Sequence, residues 1–233
     1  MDSNRKIARI VGVLFLTGMI TYLVGMVFYR PTIDDLNFLI NVSANSTQVV
    51  IGILLQLIMG ATAAGIAVMM FPIFWQLNKN IALGYLGARV VEFACVIVGE
   101  LSILSLLSLS QEYVKAGTPD ASYFQTLGAL SIAESLWAYQ MVLILYSLTA
   151  LVFFYYLYKL KFIPRLLSVW GLIGATVSLA GPLLEMFGYG APIFLFIPGG
   201  LLELFLGVWL IVKGFNSSAI ASLSAKTDIN EIK

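Results

Sequence analysis

The stretch VVIGILLQLIMGATAAGIAVMMFPIFW, Val49 to Trp75, decides the fold class. Its 27 residues include no aspartate, glutamate, lysine or arginine. As a helix rising 1.5 Å per residue it is about 40 Å long, more than the roughly 30 Å hydrocarbon layer of a bilayer. Five further apolar runs flank it: Ile7–Phe28, Ile81–Leu109, Ile132–Tyr158, Leu166–Met186 and Ile193–Val212. Turn-forming residues separate the runs, among them Asn78-Lys79-Asn80, Gly117-Thr118-Pro119-Asp120, Phe162-Ile163-Pro164 and Gly188-Tyr189-Gly190. The sequence therefore predicts an all-α polytopic membrane bundle of six transmembrane helices, one domain over residues 1–213. A short tail, 214–233, is expected to be disordered.

Composition points the same way. Of 233 residues 60% are apolar or aromatic and only 11% are charged, against about 25% charged in soluble domains. A soluble chain of this length would lack polar material for its outer shell. The first run follows Arg5, Lys6 and Arg9, as a signal peptide would, but it exceeds a 7–15-residue signal core and leads into Tyr29-Arg30-Pro31. It is read as an uncleaved first span.

Six spans sort the basic residues by side. Arg5, Lys6, Arg9, Lys79, Lys159, Lys161, Arg165, Lys213, Lys226 and Lys233 fall on one side, and only Arg30 and Lys115 on the other. The positive-inside rule then predicts both termini in the cytoplasm. Trp75, Tyr155, Tyr156, Tyr158 and Trp170 fall near the same boundary, where amphipathic rings settle. The segments Arg30–Gln48 and Gln111–Ser131 become external loops.

Several kinds of chemistry are disfavoured. Histidine is absent, which removes the usual imidazole base and the commonest metal ligand. The single cysteine, Cys95, cannot form an internal disulfide or a thiolate zinc site. No cofactor is expected. A net charge of +1 gives no electrostatic case for nucleic acid. The expected partners are membrane lipids and a small-molecule or ion ligand, and a homo-oligomer stays open. The small-residue pairs Gly60/Ala64 and Ala61/Gly65 are read as helix-contact faces.

What chemistry remains lies in charges within the apolar runs. Arg89, Glu92 and Glu100 share the third run; Glu134, Glu185 and Glu203 follow in the fourth, fifth and sixth. At 100° per residue, Glu92 lies about 60° to one side of Arg89 and Glu100 about 20° to the other, so one arc carries all three. Arg89 and Glu92, three apart, are spaced to pair. Glu100 and Glu203 fall near the middle of their runs, Glu134 and Glu185 near the external ends. One arginine cannot neutralise five glutamates, and a carboxylate without a fixed counter-charge in low dielectric is suited to carrying a proton or holding a cation. Pro198-Gly199-Gly200 before Glu203 and Gly181-Pro182 before Glu185 predict helix breaks, the usual setting of transporter sites. Gln56, Thr62, Tyr139 and Gln140 are expected to complete a polar interior around Glu100 and Glu203. Buried glutamates also serve simply to bond neighbouring helices, and Pro-Gly kinks also serve packing.

The chain resembles a bacterial family of six-span membrane proteins, domain of unknown function 4386. The marks are Ala8-Arg9-Ile10-Val11-Gly12-Val13-Leu14, Ala88-Arg89-Val90-Val91-Glu92, Ile163-Pro164-Arg165-Leu166-Leu167-Ser168, Leu202-Glu203-Leu204 and Trp209-Leu210-Ile211-Val212-Lys213-Gly214-Phe215. The resemblance implies a multi-pass protein of the bacterial cytoplasmic membrane and carries no catalytic or binding role. Three functions follow from the residues: a small-solute transporter or solute-binding membrane protein, with proton linkage left open; an accessory or sensory protein acting through partner contacts; and, last, an intramembrane enzyme, since no activated nucleophile is evident.

Overall fold

A computed structural model describes residues 3–117, 121–219 and 222. Among these there is no strand. Helices α1 (Ser3–Ile33), α3 (Ser46–Leu77), α4 (Lys79–Lys115), α5 (Ala121–Leu160), α6 (Arg165–Met186) and α7 (Ile197–Val212) dominate, with a short α2 (Phe38–Ala44) between the first two spans. Six segments are long and apolar enough to cross a membrane, the last being Ile193–Val212, which includes a 3₁₀ turn at Ile193–Leu195. The chain is thus a multi-pass membrane bundle, and each predicted run lies within one such segment. The residues expected to form a disordered tail lie largely outside the described residues, as do Lys226, Lys233, Pro119 and Asp120.

Each spanning helix packs against two others, in the cyclic order α1, α3, α4, α5, α6, α7 and back to α1. Glycines set the close approaches. A Cβ added at Gly12 of α1 would sit 2.6 Å from the Gly207 carbonyl oxygen of α7, so the ring closes backbone to backbone there. Gly60 of α3 fits against the Phe93 ring of α4, and Gly65 against Leu14 of α1, as contact faces should. Ala61, in contrast, is exposed.

Two apolar cores fill the ring. One, at the end where α1 begins and α7 ends, joins all six spans through residues such as Val11, Met70, Phe74, Tyr85, Phe153, Ala175 and Leu206. The other, at the opposite end, joins Tyr29, Ile33, Leu39, Val42, Ile53, Ile103 and Leu106 and involves neither α6 nor α7. Large aliphatic residues cover the outside, for example Val27, Leu54, Val98, Leu101, Ile173 and Val208. Burying them costs nothing extra in lipid, which is why the helices show no strong polar face.

Three expectations need correction. The segments read as long loops are mostly helical: α4 continues to Lys115, α5 starts at Ala121, and α2 occupies 38–44. Pro198 does not break the middle of a helix; it sits in the first turn of α7, where its missing N–H leaves no bond unmade. Gly181-Pro182 does not interrupt α6, which runs on to Met186. Gly181 is there because the Phe196 ring occupies the space of a side chain, 2.3 Å from where its Cβ would stand.

Candidate functional site

The intramembrane charges form two separate clusters. In the first, Arg89 Nη1 donates to both Glu92 Oε1 and Oε2 at 3.1 Å, and both residues are 3% exposed. Arg89 lies over the rings of Tyr85 (5.6 Å) and Tyr146 (5.7 Å), one from α4 and one from α5. The Tyr146 hydroxyl donates to Glu203 Oε1 of α7 at 2.8 Å. A chain Glu92–Arg89–Tyr146–Glu203 therefore ties three helices. Two buried polar atoms in it, Arg89 Nε and Tyr85 Oη, have no protein partner.

The second cluster surrounds Glu100. Tyr29 and Arg30 of α1, Gln56 of α3, Glu100 of α4, and Ser135 and Tyr139 of α5 line a cavity of about 40 Å³. A cavity of 10–15 Å³ already admits one water, so this one has room for a water or a small cation. Glu100 is 7% exposed, and its Oε2 has no hydrogen-bond partner. Gln56 Nε2 donates to the Tyr22 carbonyl at 3.3 Å, and Tyr139 donates to the Tyr22 hydroxyl at 2.6 Å, their rings parallel within 4°. Gly52 admits Tyr29 to the wall: its Cβ would stand 2.6 Å from that ring. Arg30 is held by Asp34 at 3.1 Å and is partly exposed.

Glu100 and Glu203 thus do not share one interior, contrary to expectation. Helices α4 and α7 are not adjacent in the ring. Depth separates the clusters as well: Arg89 lies ten residues from Lys79 and Glu203 nine from Val212, about 15 Å from the basic end, whereas Glu100 lies 21 residues from Lys79, about 32 Å along α4. Glu100 therefore lies toward the opposite end of the bundle, beside the core of Tyr29, Ile103 and Leu106.

The remaining candidates are dispersed. Glu134 does not turn inward; it is exposed on α5, and its Oε2 accepts a long hydrogen bond from Ser102 Oγ at 3.5 Å. Glu185 Oε2 accepts from the Ala191 N–H at 2.8 Å, bracing the turn after α6. Gln140 buries Oε1 without a partner but does not line the Glu100 cavity. Thr62 bonds its own helix at the Met59 carbonyl. Sequence reading missed Tyr22, Tyr29, Tyr85 and Tyr146. A signal was present for Tyr85 and Tyr146, since a tyrosine well inside a span departs from the interfacial habit of that residue and needs a polar partner. Among the described residues no group of acidic and sulfur ligands is arranged to hold a metal.

A family model described as a domain of unknown function (DUF4386) matches residues 10–214. No curated protein and no solved structure matches the chain.

Proposed function

The chain belongs to the DUF4386 family, and on that premise we propose that it is a protein of the bacterial cytoplasmic membrane that exchanges a proton or a small cationic solute at Glu100. The supporting observation is one carboxylate oxygen, Glu100 Oε2, buried without a partner beside a cavity walled by Tyr29, Gln56 and Tyr139. Arg89 is committed to Glu92, and Arg30 at the cavity edge to Asp34. Glu100 has no fixed cation, so its counter-charge must be a proton or a mobile cation. Tyrosine hydroxyls and the glutamine amide supply oxygen acceptors for such a guest. In the other cluster Arg89 pairs with Glu92 and Tyr146 donates to Glu203, which ties α4, α5 and α7 together. The end where α1 begins and α7 ends is assigned to the cytoplasmic side, because most of the lysines and arginines fall there.

The test is reconstitution of the full chain in liposomes with an entrapped pH-sensitive dye and a potassium diffusion potential. Radiolabelled small amines are run in parallel. Wild type is expected to exceed empty liposomes in one arm, and Glu100→Gln to return to baseline with an unchanged melting temperature. Wild type matching empty liposomes in both arms, or Glu100→Gln matching wild type, removes the proposal.

One observation favours a second reading, action through partner contact. Glu134, held only by the long bond from Ser102, and Trp137 are both exposed on α5, and an exposed carboxylate in a membrane span favours a partner helix over lipid. Crosslinking from position 137 in native membranes tests this; adducts with lipid alone rule it out.

A further inference from the structure

A second cavity has no part in the Glu100 chemistry: a groove of about 520 Å³ at the end where α1 begins and α7 ends, between the α5–α6 link and the residues after α7. That volume is in the range of small-ligand sites, roughly 300–1,000 Å³. Lys161, Arg165 and Lys213 line it together with Trp209 and Asn216.

Its frame is fixed. Lys161 and Gly214 adopt left-handed backbone (φ 57° and 74°), turning the chain sharply at each wall. The Asn216 N–H donates to the Phe162 carbonyl at 2.9 Å, and its Nδ2 donates to the Lys161 carbonyl at 3.4 Å. The Phe162 and Phe215 rings meet at 5.6 Å beneath. Three cationic side chains therefore project from anchored backbone.

No described acid neutralises them. None of the three makes a carboxylate ion pair among the described residues; Arg165 lies over the Tyr158 ring at 5.5 Å. The described acids nearest in sequence, Glu203 and Glu185, are engaged elsewhere, with Tyr146 and with the Ala191 N–H. Three like charges around one groove repel each other unless an anion is present. Chain neighbours of two of these cations present apolar surface: Leu166, 78% exposed, follows Arg165, and Val212, 59% exposed, precedes Lys213. A free anion has no use for such flanking apolar surface, whereas a lipid lays its acyl chains along it. Trp209 lines the same groove, and indole settles at the headgroup level.

We infer that this groove binds the phosphate headgroup of an anionic membrane phospholipid, with Lys161, Arg165 and Lys213 as its ligands. Basic pockets between membrane helices are suited to this chemistry, and each lysine or arginine contributes roughly fivefold in affinity.

Purified full-length protein is titrated with phosphatidylglycerol or with phosphatidylcholine of the same chains, and bound lipid is counted by native mass spectrometry. Inorganic phosphate at millimolar concentration is added as a competitor. Lys161→Gln, Arg165→Gln and Lys213→Gln are each expected to weaken phosphatidylglycerol retention about fivefold, and the triple variant on the order of a hundredfold. The control Lys79→Gln/Lys159→Gln, at the same end but outside the groove, is expected to retain the lipid. Folding of each variant is checked by its melting temperature in phosphatidylcholine; the single variants carry the test if the triple unfolds. Equal retention of the two lipids by wild type overturns the inference, as does an unchanged triple variant. Equal loss in the control double variant also overturns it by assigning the effect to diffuse surface charge, and displacement by inorganic phosphate assigns the groove to a free anion instead.

Discussion

Replacing Glu92 by glutamine is the sharpest test of how the mid-membrane cluster works. The change keeps the side-chain volume and one acceptor oxygen but removes the charge that meets Arg89 Nη1 at 3.1 Å. Arg89 and Glu92 side chains are 4% and 3% exposed, so water cannot take over. Removing one partner of a buried pair costs about 3–5 kcal/mol. The retained amide oxygen recovers about 1 kcal/mol, and the rings of Tyr85 and Tyr146 still face the guanidinium. The expected loss is therefore about 2–4 kcal/mol, or a melting temperature lower by on the order of 10 °C. Replacing both partners, Arg89→Met with Glu92→Met, leaves no buried charge on α4 at this level and should fall within about 1 kcal/mol of wild type. Cys95, the sole cysteine and only partly exposed, reports unfolding through a thiol-reactive fluorophore during a heating ramp in detergent. A double variant as unstable as the single one would refute the reasoning, since the cost would then lie in lost packing and not in an orphaned charge.

Three further outcomes follow from particular contacts. Gly12→Ala should cost about 1–3 kcal/mol in the same ramp, because its Cβ meets the Gly207 carbonyl at 2.6 Å and only separation of α1 from α7 relieves it; Gly84→Ala, with nothing within 4 Å, should be neutral or gain up to about 1 kcal/mol. Tyr146→Phe removes the donor to Glu203 Oε1 and should destabilise by about 1–3 kcal/mol, with Glu203→Gln in the same background adding little. A green fluorescent protein fused after residue 233 should fluoresce in a bacterial host, and alkaline phosphatase at the same position should stay inactive; the reverse pattern would overturn the proposed orientation.

The number of spans and the inward arc of α4 were readable because hydrophobic length and the 3.6-residue period are local properties, whereas the helical extensions of α4 to Lys115 and of α5 back to Ala121 lie beyond the apolar runs. The pairing of Arg89 with Glu92 was readable for the same reason, three residues on one helix. Which distant side chains would meet was not. Nothing in the sequence says that Glu203 of α7 meets Tyr146 of α5 rather than Glu100 of α4, since that depends on the cyclic order of the helices. Pro198 misled because proline signals both a broken helix and the start of one, and only the backbone of Ile193–Phe196 distinguishes them.

The arrangement of the two clusters bears on what could move through the bundle under the proposed function. Between the Glu100 chamber and the basic end lie Met70, Phe74, Phe153 and Leu157, each at most 1% exposed. A solute of several atoms would have to part these side chains, which means separating helices that Gly12 and Gly171 hold at contact distance. A proton needs far less. The Tyr146 hydroxyl already bonds Glu203 at 2.8 Å at mid-depth, and the gap from Glu100 to Glu92 is eight residues, about 12 Å along α4. Bridging that distance would take only a short file of waters, whereas a larger solute requires those buried side chains to part. Within the proposed function, the packing therefore favours proton passage with at most cation binding at Glu100 over carriage of a larger solute.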